Sequence, residues 1–165
     1  MKIVANNNEV NFDAHTLLIS KTDLKGKITY VNRDFMKAVN IKEKDLIGQP
    51  HNINRHPDMP RIIFKMLWQY LQNGQEIHAY VKNITSDGSF YWVFANITPS
   101  YFNSKIIGYH SARRKPSKEA LEIVKPLYKK LLEAEKHGGM DASESLMQTL
   151  LNEKEMEYEE FILSF

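Results

Sequence analysis

The side chains best placed for chemistry in this sequence lie in a loop bounded by prolines. Arg55, His56 and Asp58 stand together in the run Arg55-His56-Pro57-Asp58-Met59-Pro60. A guanidinium holds phosphate through two parallel hydrogen bonds, so Arg55 is a phosphate-binding candidate. Asp58 has a structural alternative, the cap of a helix starting near Pro60, with His56 packed beneath it. Asn83 carries a carboxamide, which offers two donors and an acceptor at one point. It reads either as a ligand contact or as a strand-end side chain satisfying a turn. Trp68 offers a broad flat surface and one N–H donor, and reads as a ligand contact or a core side chain. Tyr91 and Trp92 are large aromatic side chains able to fill a sheet.

Much chemistry is excluded at this level. The chain has no cysteine, which removes disulfides, thiol nucleophiles, cysteine-held metal and covalent haem. The histidines at 15, 51, 56, 78, 110 and 137 show neither His-x-His nor i, i+4 pairing, so no metal site is expected. There is no G-x-G-x-x-G after a strand, no phosphate-binding P-loop and no G-x-S-x-G. The expectation is a protein that is not an enzyme.

The periodicity of the chain sets the elements that must position these residues. Leu17–Thr22 and Lys27–Asn32 read as two strands joined by a turn at Asp23-Leu24-Lys25-Gly26. Short helical pieces follow around Phe35–Ile41 and Glu43–Leu46, then a breaker at Gly48-Gln49-Pro50. Pro60 suits the first turn of a longer helix bearing Ile62, Ile63, Met66, Leu67, Tyr70 and Leu71 on one face. Asn73-Gly74 ends it. Glu76–Ile84, Phe90–Tyr101 and Lys105–Arg113 are three further strands, with turns at Ser86-Asp87-Gly88 and Asn103-Ser104. This order predicts an α+β fold: a five-stranded antiparallel sheet with helices on one face, followed by C-terminal helices. Ser117 is an N-cap for the first of these. Pro126 is expected to kink or restart it, and His137-Gly138-Gly139 to break it. A last helix from about Ala142 carries Met147, Leu150, Leu151, Tyr158, Phe161, Ile162 and Phe165 along a stripe. That stripe packs back on the sheet, pairs with another copy as a homodimer, or docks on a partner helix. The expected division is an N-terminal cap or arm over 1–16, the α+β domain over 17–115 and a helical extension over 116–165.

The chain has 165 residues, of which 42% are hydrophobic and 25% charged, enough for one packed core. Its 22 basic and 20 acidic residues leave a formal charge of +2, too balanced for a dedicated nucleic-acid binder. No stretch reaches the ~18 consecutive apolar residues of a membrane span, and the Asn-rich start has no signal-peptide core. The expectation is a cytoplasmic protein without direct membrane insertion. The acidic surface of the last helix argues against binding an anionic bilayer.

Thr22-Asp23-Leu24-Lys25-Gly26-Lys27-Ile28-Thr29-Tyr30-Val31-Asn32, followed by Phe35, resembles the opening of PAS sensor domains. Gly48-Gln49-Pro50-His51-Asn52 and Arg55-His56-Pro57-Asp58-Met59-Pro60 are more specific. They are similar to the flavin-binding PAS domains of Aer-like energy-taxis receptors. Val81-Lys82-Asn83, Tyr91-Trp92-Val93, Ala95-Asn96 and Gly108-Tyr109 fall where that family has equivalent residues. The likeness covers roughly residues 17–130.

The resemblance implies the PAS fold and a non-covalent FAD acting as a redox sensor. It implies flavin contacts at Asn83 and Trp68, and pyrophosphate, ribose or adenine contacts among Arg55, His56 and Asp58. Asn32, Phe64, Tyr91 and Trp92 are further pocket candidates by the same likeness. Single-chain receptors of this family continue into a membrane anchor and a signalling coiled coil, which this sequence lacks. It therefore resembles the separate PAS half of a bipartite energy-taxis receptor of the CetB type. The implied partner is a membrane-bound chemotaxis transducer without its own PAS domain, which would recruit this chain to the inner membrane face. Alternatives are a PAS module for haem, with His56 as the placed ligand, one for a small metabolite, or a flavin-dependent reductase.

Overall fold

The computed structural model describes residues 3–165, so Met1 and Lys2 of the N-terminal arm lie outside the described residues. The expected hairpin forms from β1 (Leu18–Thr22) and β2 (Ile28–Val31). Asp23 makes its turn: one carboxylate oxygen accepts the amides of Lys25 at 2.8 Å and Lys27 at 2.9 Å. Gly26 takes the left-handed conformation this turn requires, with φ +76°. Asn32 closes β2 and opens α1 (Arg33–Val39). Its Oδ1 accepts from Phe35 N at 2.9 Å and Ile19 N at 3.0 Å, and its Nδ2 donates to the Leu17 carbonyl at 2.8 Å.

A short α2 (Glu43–Leu46) and a 3₁₀ turn (His51–Asn54) lead to α3 (Arg61–Gln72). Pro60 sits at the N-cap, one residue before the first turn where the sequence placed it. Strands β3 (Ile77–Ile84), β4 (Phe90–Phe102) and β5 (Lys105–Arg114) form a meander. The sheet is five-stranded in the order β2-β1-β5-β4-β3, with every pair antiparallel. This is the expected sheet. Alternation along the strands puts Ser20, Val81, Asn83, Ala95, Ser111 and Arg113 on one face, under α3 and the 51–55 turn.

The C-terminal helices treat the opposite face and the β3 edge. α4 (Lys118–Lys154) begins at the Ser117 cap, whose Oγ accepts from Ala120 N at 3.0 Å. It lays Tyr128 against Trp92 on the face away from α3, with ring centroids 5.9 Å apart. Pro126 does not interrupt it, contrary to expectation. Val124, Tyr128 and Leu131 are buried along one face and hold the helix through that point, while Glu122 and Pro126 are exposed. The Glu122 carbonyl that loses its amide partner is thus on the hydrated side. The bend falls at Gly139 (φ 69°, ψ −165°), within the expected break. The last helix is likewise not continuous. α4 ends at Glu155, in the left-handed conformation, and α5 (Tyr158–Leu163) follows.

β3 is an edge strand, and its outward backbone groups would otherwise be unpaired. The His78 amide donates to Glu159 at 2.6 Å, and the Tyr158 hydroxyl donates to the His78 carbonyl at 3.0 Å. Tyr128 donates to the Tyr80 carbonyl at 2.6 Å, and the His56 amide donates to the Lys82 carbonyl at 3.3 Å. Of the three options for the last apolar stripe, α5 takes the one that packs back on its own sheet. The N-terminal arm pairs with the start of β4: Phe90 N donates to the Asn8 carbonyl at 2.8 Å and Val10 N to the Phe90 carbonyl at 2.7 Å. Among the described residues, no helix is long and apolar enough to cross a membrane.

Candidate functional site

A cavity of about 440 Å³ lies between the inner sheet face and α3, within the range of small-molecule sites. Phe64, Leu67, Trp68 and Leu71 of α3 form one wall, with Val81, Ala95 and Ile97 of the sheet opposite. The 51–55 turn closes a side, pinned by a backbone bridge between Arg55 and Asn83. Trp68 stands near the β1–β2 turn: a methyl group at Gly26 would lie 3.2 Å from its ring. Its indole meets the Tyr109 ring edge-on at 5.4 Å.

The polar groups in this wall are few and specific. Arg113 is 5% exposed. Its guanidinium donates to Ser20 Oγ and to His51 Nε2, both at 2.9 Å. No carboxylate pairs with it among the described residues. Burial lowers its pKa to about 10, so it remains a cation at neutral pH. His51 faces this cation and is held neutral. Burial first, and Arg113 second, push its pKa down to about 3. Because Nε2 accepts from Arg113, the ring proton sits on Nδ1. Ser111 Oγ lies buried in the same wall and has no hydrogen-bond partner among the described residues. A buried hydroxyl without a partner is costly, so a ligand atom is its natural complement. Beside the cavity, Asn54 Nδ2 donates to the Tyr91 hydroxyl at 3.3 Å, and burial raises the Tyr91 pKa to about 12.

The neutral state of His51 makes stability depend on pH with a definite sign. An unfolded imidazole takes a proton near pH 6.5, the folded one only near pH 3. Between these values the unfolded chain binds more protons, so stability falls as pH drops through that window. His51→Gln keeps an acceptor near the Nε2 position and cannot be protonated. Urea unfolding at pH 7 and pH 5 is expected to show a smaller acid loss in the variant than in the parent. An equal loss in both would remove His51 from this role. His56, whose pKa burial also lowers, keeps part of the acid sensitivity in either protein.

The structure brings four of the sequence candidates to the cavity: Asn83, Trp68, Arg55 and Phe64. Arg55 lies with its guanidinium 4.0 Å from the Phe64 ring centroid and donates to the Met59 carbonyl at 3.2 Å. The other five are elsewhere. Asn32 is spent on the β2–α1 junction. Tyr91 is buried below the cavity and does not line it, and Trp92 points to the opposite face, against Tyr128. His56 is buried at the β3 edge, where Nδ1 accepts the Asp58 amide at 3.0 Å and Nε2 has no partner among the described residues. It is not among the residues that line the cavity. Asp58 is exposed and pairs with Lys82 at 2.8 Å. It does not cap α3; Glu135 of α4 does, accepting Ile62 N at 3.0 Å.

Sequence reasoning missed Arg113, His51, Ser111, Ser20 and Asn54. A signal for Arg113 was present. In a strand containing Tyr109, Ser111 and Arg113 at every second position, alternation puts an arginine on the apolar side.

Comparison with known proteins agrees with this architecture. The profile of the PAS fold matches residues 16–110, more than half of the chain. An aerotaxis receptor of Escherichia coli (strain K12) is 42% identical over 116 residues, covering 70% of this chain and 23% of that protein. The chain thus spans less than a quarter of that relative's length. Among solved structures, a PAS domain from Colwellia psychrerythraea superposes with a TM-score of 0.56 at 23% identity, over 62% of this chain and 87% of that one. The light-state structure of the blue-light photoreceptor Aureochrome1 LOV gives 0.59 at 18% identity, over 66% and 88%.

Proposed function

This chain belongs to the PAS family, and we propose that it is a flavin-binding redox sensor, with FAD as cofactor, that signals to a separate chemotaxis transducer. The observation that carries this reading is the cavity itself. It joins flat apolar walls to a buried cation without a carboxylate and a hydroxyl without a partner among the described residues, with a carboxamide beside them, all on the β3–β5 side. That set suits a planar heteroaromatic ring with a polar edge that gains negative charge. The 42% identity to a protein named as an aerotaxis receptor supports the signalling role.

A bound flavin would supply a ring that takes up and releases electrons. The chain's own residues do the rest. Trp68 and Phe64 cover the ring with apolar surface and exclude water. Arg113 stabilises negative charge, and His51 stays neutral so that it does not compete as a second cation. Asn83 presents both donor and acceptor, so it can follow a change in the ligand's hydrogen-bonding pattern by turning over. A mismatch at one buried hydrogen bond is worth ~1–3 kcal/mol, the size of a modest allosteric coupling. Arg55, on the cavity wall, would hold the diphosphate of FAD. Asn83 on β3 and Arg113 on β5 connect the site to the sheet's other face, where α4 lies.

In this reading the protein is a non-enzymatic sensor in the cytoplasm, brought to the inner membrane face by a membrane-bound transducer without a PAS domain. Asn83→Ala is expected to weaken FAD binding roughly tenfold, the loss of one or two buried hydrogen bonds. Titration of the cofactor-free protein with FAD, followed by fluorescence, measures this. Unchanged affinity together with an intact response to reduction would contradict the role given to Asn83. A second reading, a small-metabolite module, is favoured by the same unpartnered Ser111 hydroxyl, and is separated from the first by the protein's colour.

A further inference from the structure

α3 carries a wall of the cavity but has no N-terminal cap of its own. Its N-cap is Pro60, which offers no side-chain acceptor, and no acidic residue lies in its first turn. The positive end of the helix dipole is therefore unanswered locally. The answer comes from α4, in the region beyond the PAS match. Glu135, with its side chain 7% exposed, accepts Ile62 N at 3.0 Å and Arg61 Nε at 3.4 Å. The same carboxylate lies 3.0 Å from the Ser143 hydroxyl, which is fully buried. Burial lowers the pKa of Arg55 on the cavity wall, and the field of Glu135 works against that and favours the guanidinium's charge.

Glu135 and Ser143 flank Gly139, the bend in α4. A glycine at φ 69° has little intrinsic preference for one bend angle; this bond, which the Ser143 hydroxyl shares with the Met140 carbonyl, and the pair Lys65–Glu144 restrain it together with the buried Met147 and Leu151. One carboxylate thus joins the first turn of the wall helix to both halves of α4.

We propose that Glu135 is a positioning residue that makes α3 and the bend at Gly139 one mechanical unit, so that occupancy of the cavity sets the angle between the halves of α4. The proposal rests on the flavin reading only for the choice of probe. The absence of cysteine makes it directly measurable. Cysteines introduced at the exposed positions Lys130 and Glu153, one on each side of Gly139, take nitroxide labels, and pulsed electron resonance reports their separation.

Adding FAD to the full chain is expected to move or narrow this distance distribution. Glu135→Gln keeps an acceptor oxygen but removes the charge; it should bind FAD, seen by its absorption, without the distance response. A flavin-bound parent whose distances do not move, or a Glu135→Gln variant that responds as the parent does, overturns the proposal. A second arm needs no flavin. Amide exchange over residues 61–64 should quicken at least tenfold in Glu135→Gln, and unchanged exchange overturns the proposal. If the parent takes up no FAD, the flavin reading fails and this arm alone decides the role of Glu135. If Glu135→Gln does not fold, Ser143→Ala takes its place. It leaves the α3 cap in position and releases the second half of α4. Its flavin-free distance distribution should broaden, and an unbroadened one overturns the proposal.

Discussion

Arg113→Met is expected to raise thermal stability and to lower FAD affinity by about 10- to 100-fold, the worth of a charge-assisted buried hydrogen bond. The two effects have one cause. A guanidinium 5% exposed without a carboxylate partner is costly to bury, and an apolar side chain of similar length removes that cost. Ser20 and His51 lose a donor, but they lie 2.9 Å apart and retain each other. In the proposed function this cation serves the ligand, and the stability of the fold alone gives it no role. The same substitution should make reduction of bound flavin harder. Reduction adds negative charge, and loss of a neighbouring cation disfavours it. The midpoint should fall by roughly 60–120 mV for one electron, at about 59 mV per tenfold change in equilibrium. Arg113→Lys keeps the charge without the planar fork and should fall between the two. Affinity and midpoint unchanged in Arg113→Met would take Arg113 out of the site.

Gly108→Ala should give a large loss of stability for the addition of a single methyl group. Gly108 lies in β5 beside the end of β1. A Cβ there would stand 2.1 Å from the backbone oxygen of Thr22 and 3.2 Å from its carbonyl carbon. No rotamer relieves a clash with backbone, so β1 and β5 must separate where Thr22 pairs with Tyr109. Both residues line the cavity, and Tyr109 supports Trp68. Overpacking of this kind costs about 3 kcal/mol or more when the backbone must move. Gly48→Ala separates clash from backbone strain. Gly48 has φ +83° but nothing within 4 Å of its Cβ, so it should lose only about 1 kcal/mol, the cost of a left-handed alanine. Urea unfolding of both variants makes the comparison. A Gly108→Ala loss no greater than that of Gly48→Ala would mean that the sheet has more freedom here than its packing implies.

The sheet was legible in the sequence because its turns carry local chemistry. Asp23 and Gly26, Asp87 and Gly88, and Asn103 and Ser104 each mark a reversal through side-chain caps or positive φ. The cavity was legible only where a family motif points to it, as at Asn83, Trp68, Arg55 and Phe64. His56 and Asp58 stand in that motif, yet the chain turns between Arg55 and Met59 and sends them to the β3 edge. Trp92 stays open in the sequence between lining a ligand and filling the sheet, because a side chain on a strand buried on both faces gives no sign of which face it takes. Arg113, His51 and Ser20 form one network from three segments far apart in sequence, and nothing local announces it. The sequence offers Asp58 as an alternative cap for α3 because it is nearby, whereas Glu135 reaches it from 73 residues away. Pro126 shows the same lesson in reverse. The local rule for a break gave way to the buried face of Val124, Tyr128 and Leu131.

The central claim is that the cavity holds a flavin, and an absorption spectrum of the purified protein tests it most directly. Two bands, in the near ultraviolet and the blue, with FAD released on denaturation, are the predicted result. A Soret band would contradict it and would turn attention to haem. A colourless protein that takes up no added FAD would contradict it as well, leaving a PAS domain whose buried Arg113 and unpartnered Ser111 await a different ligand.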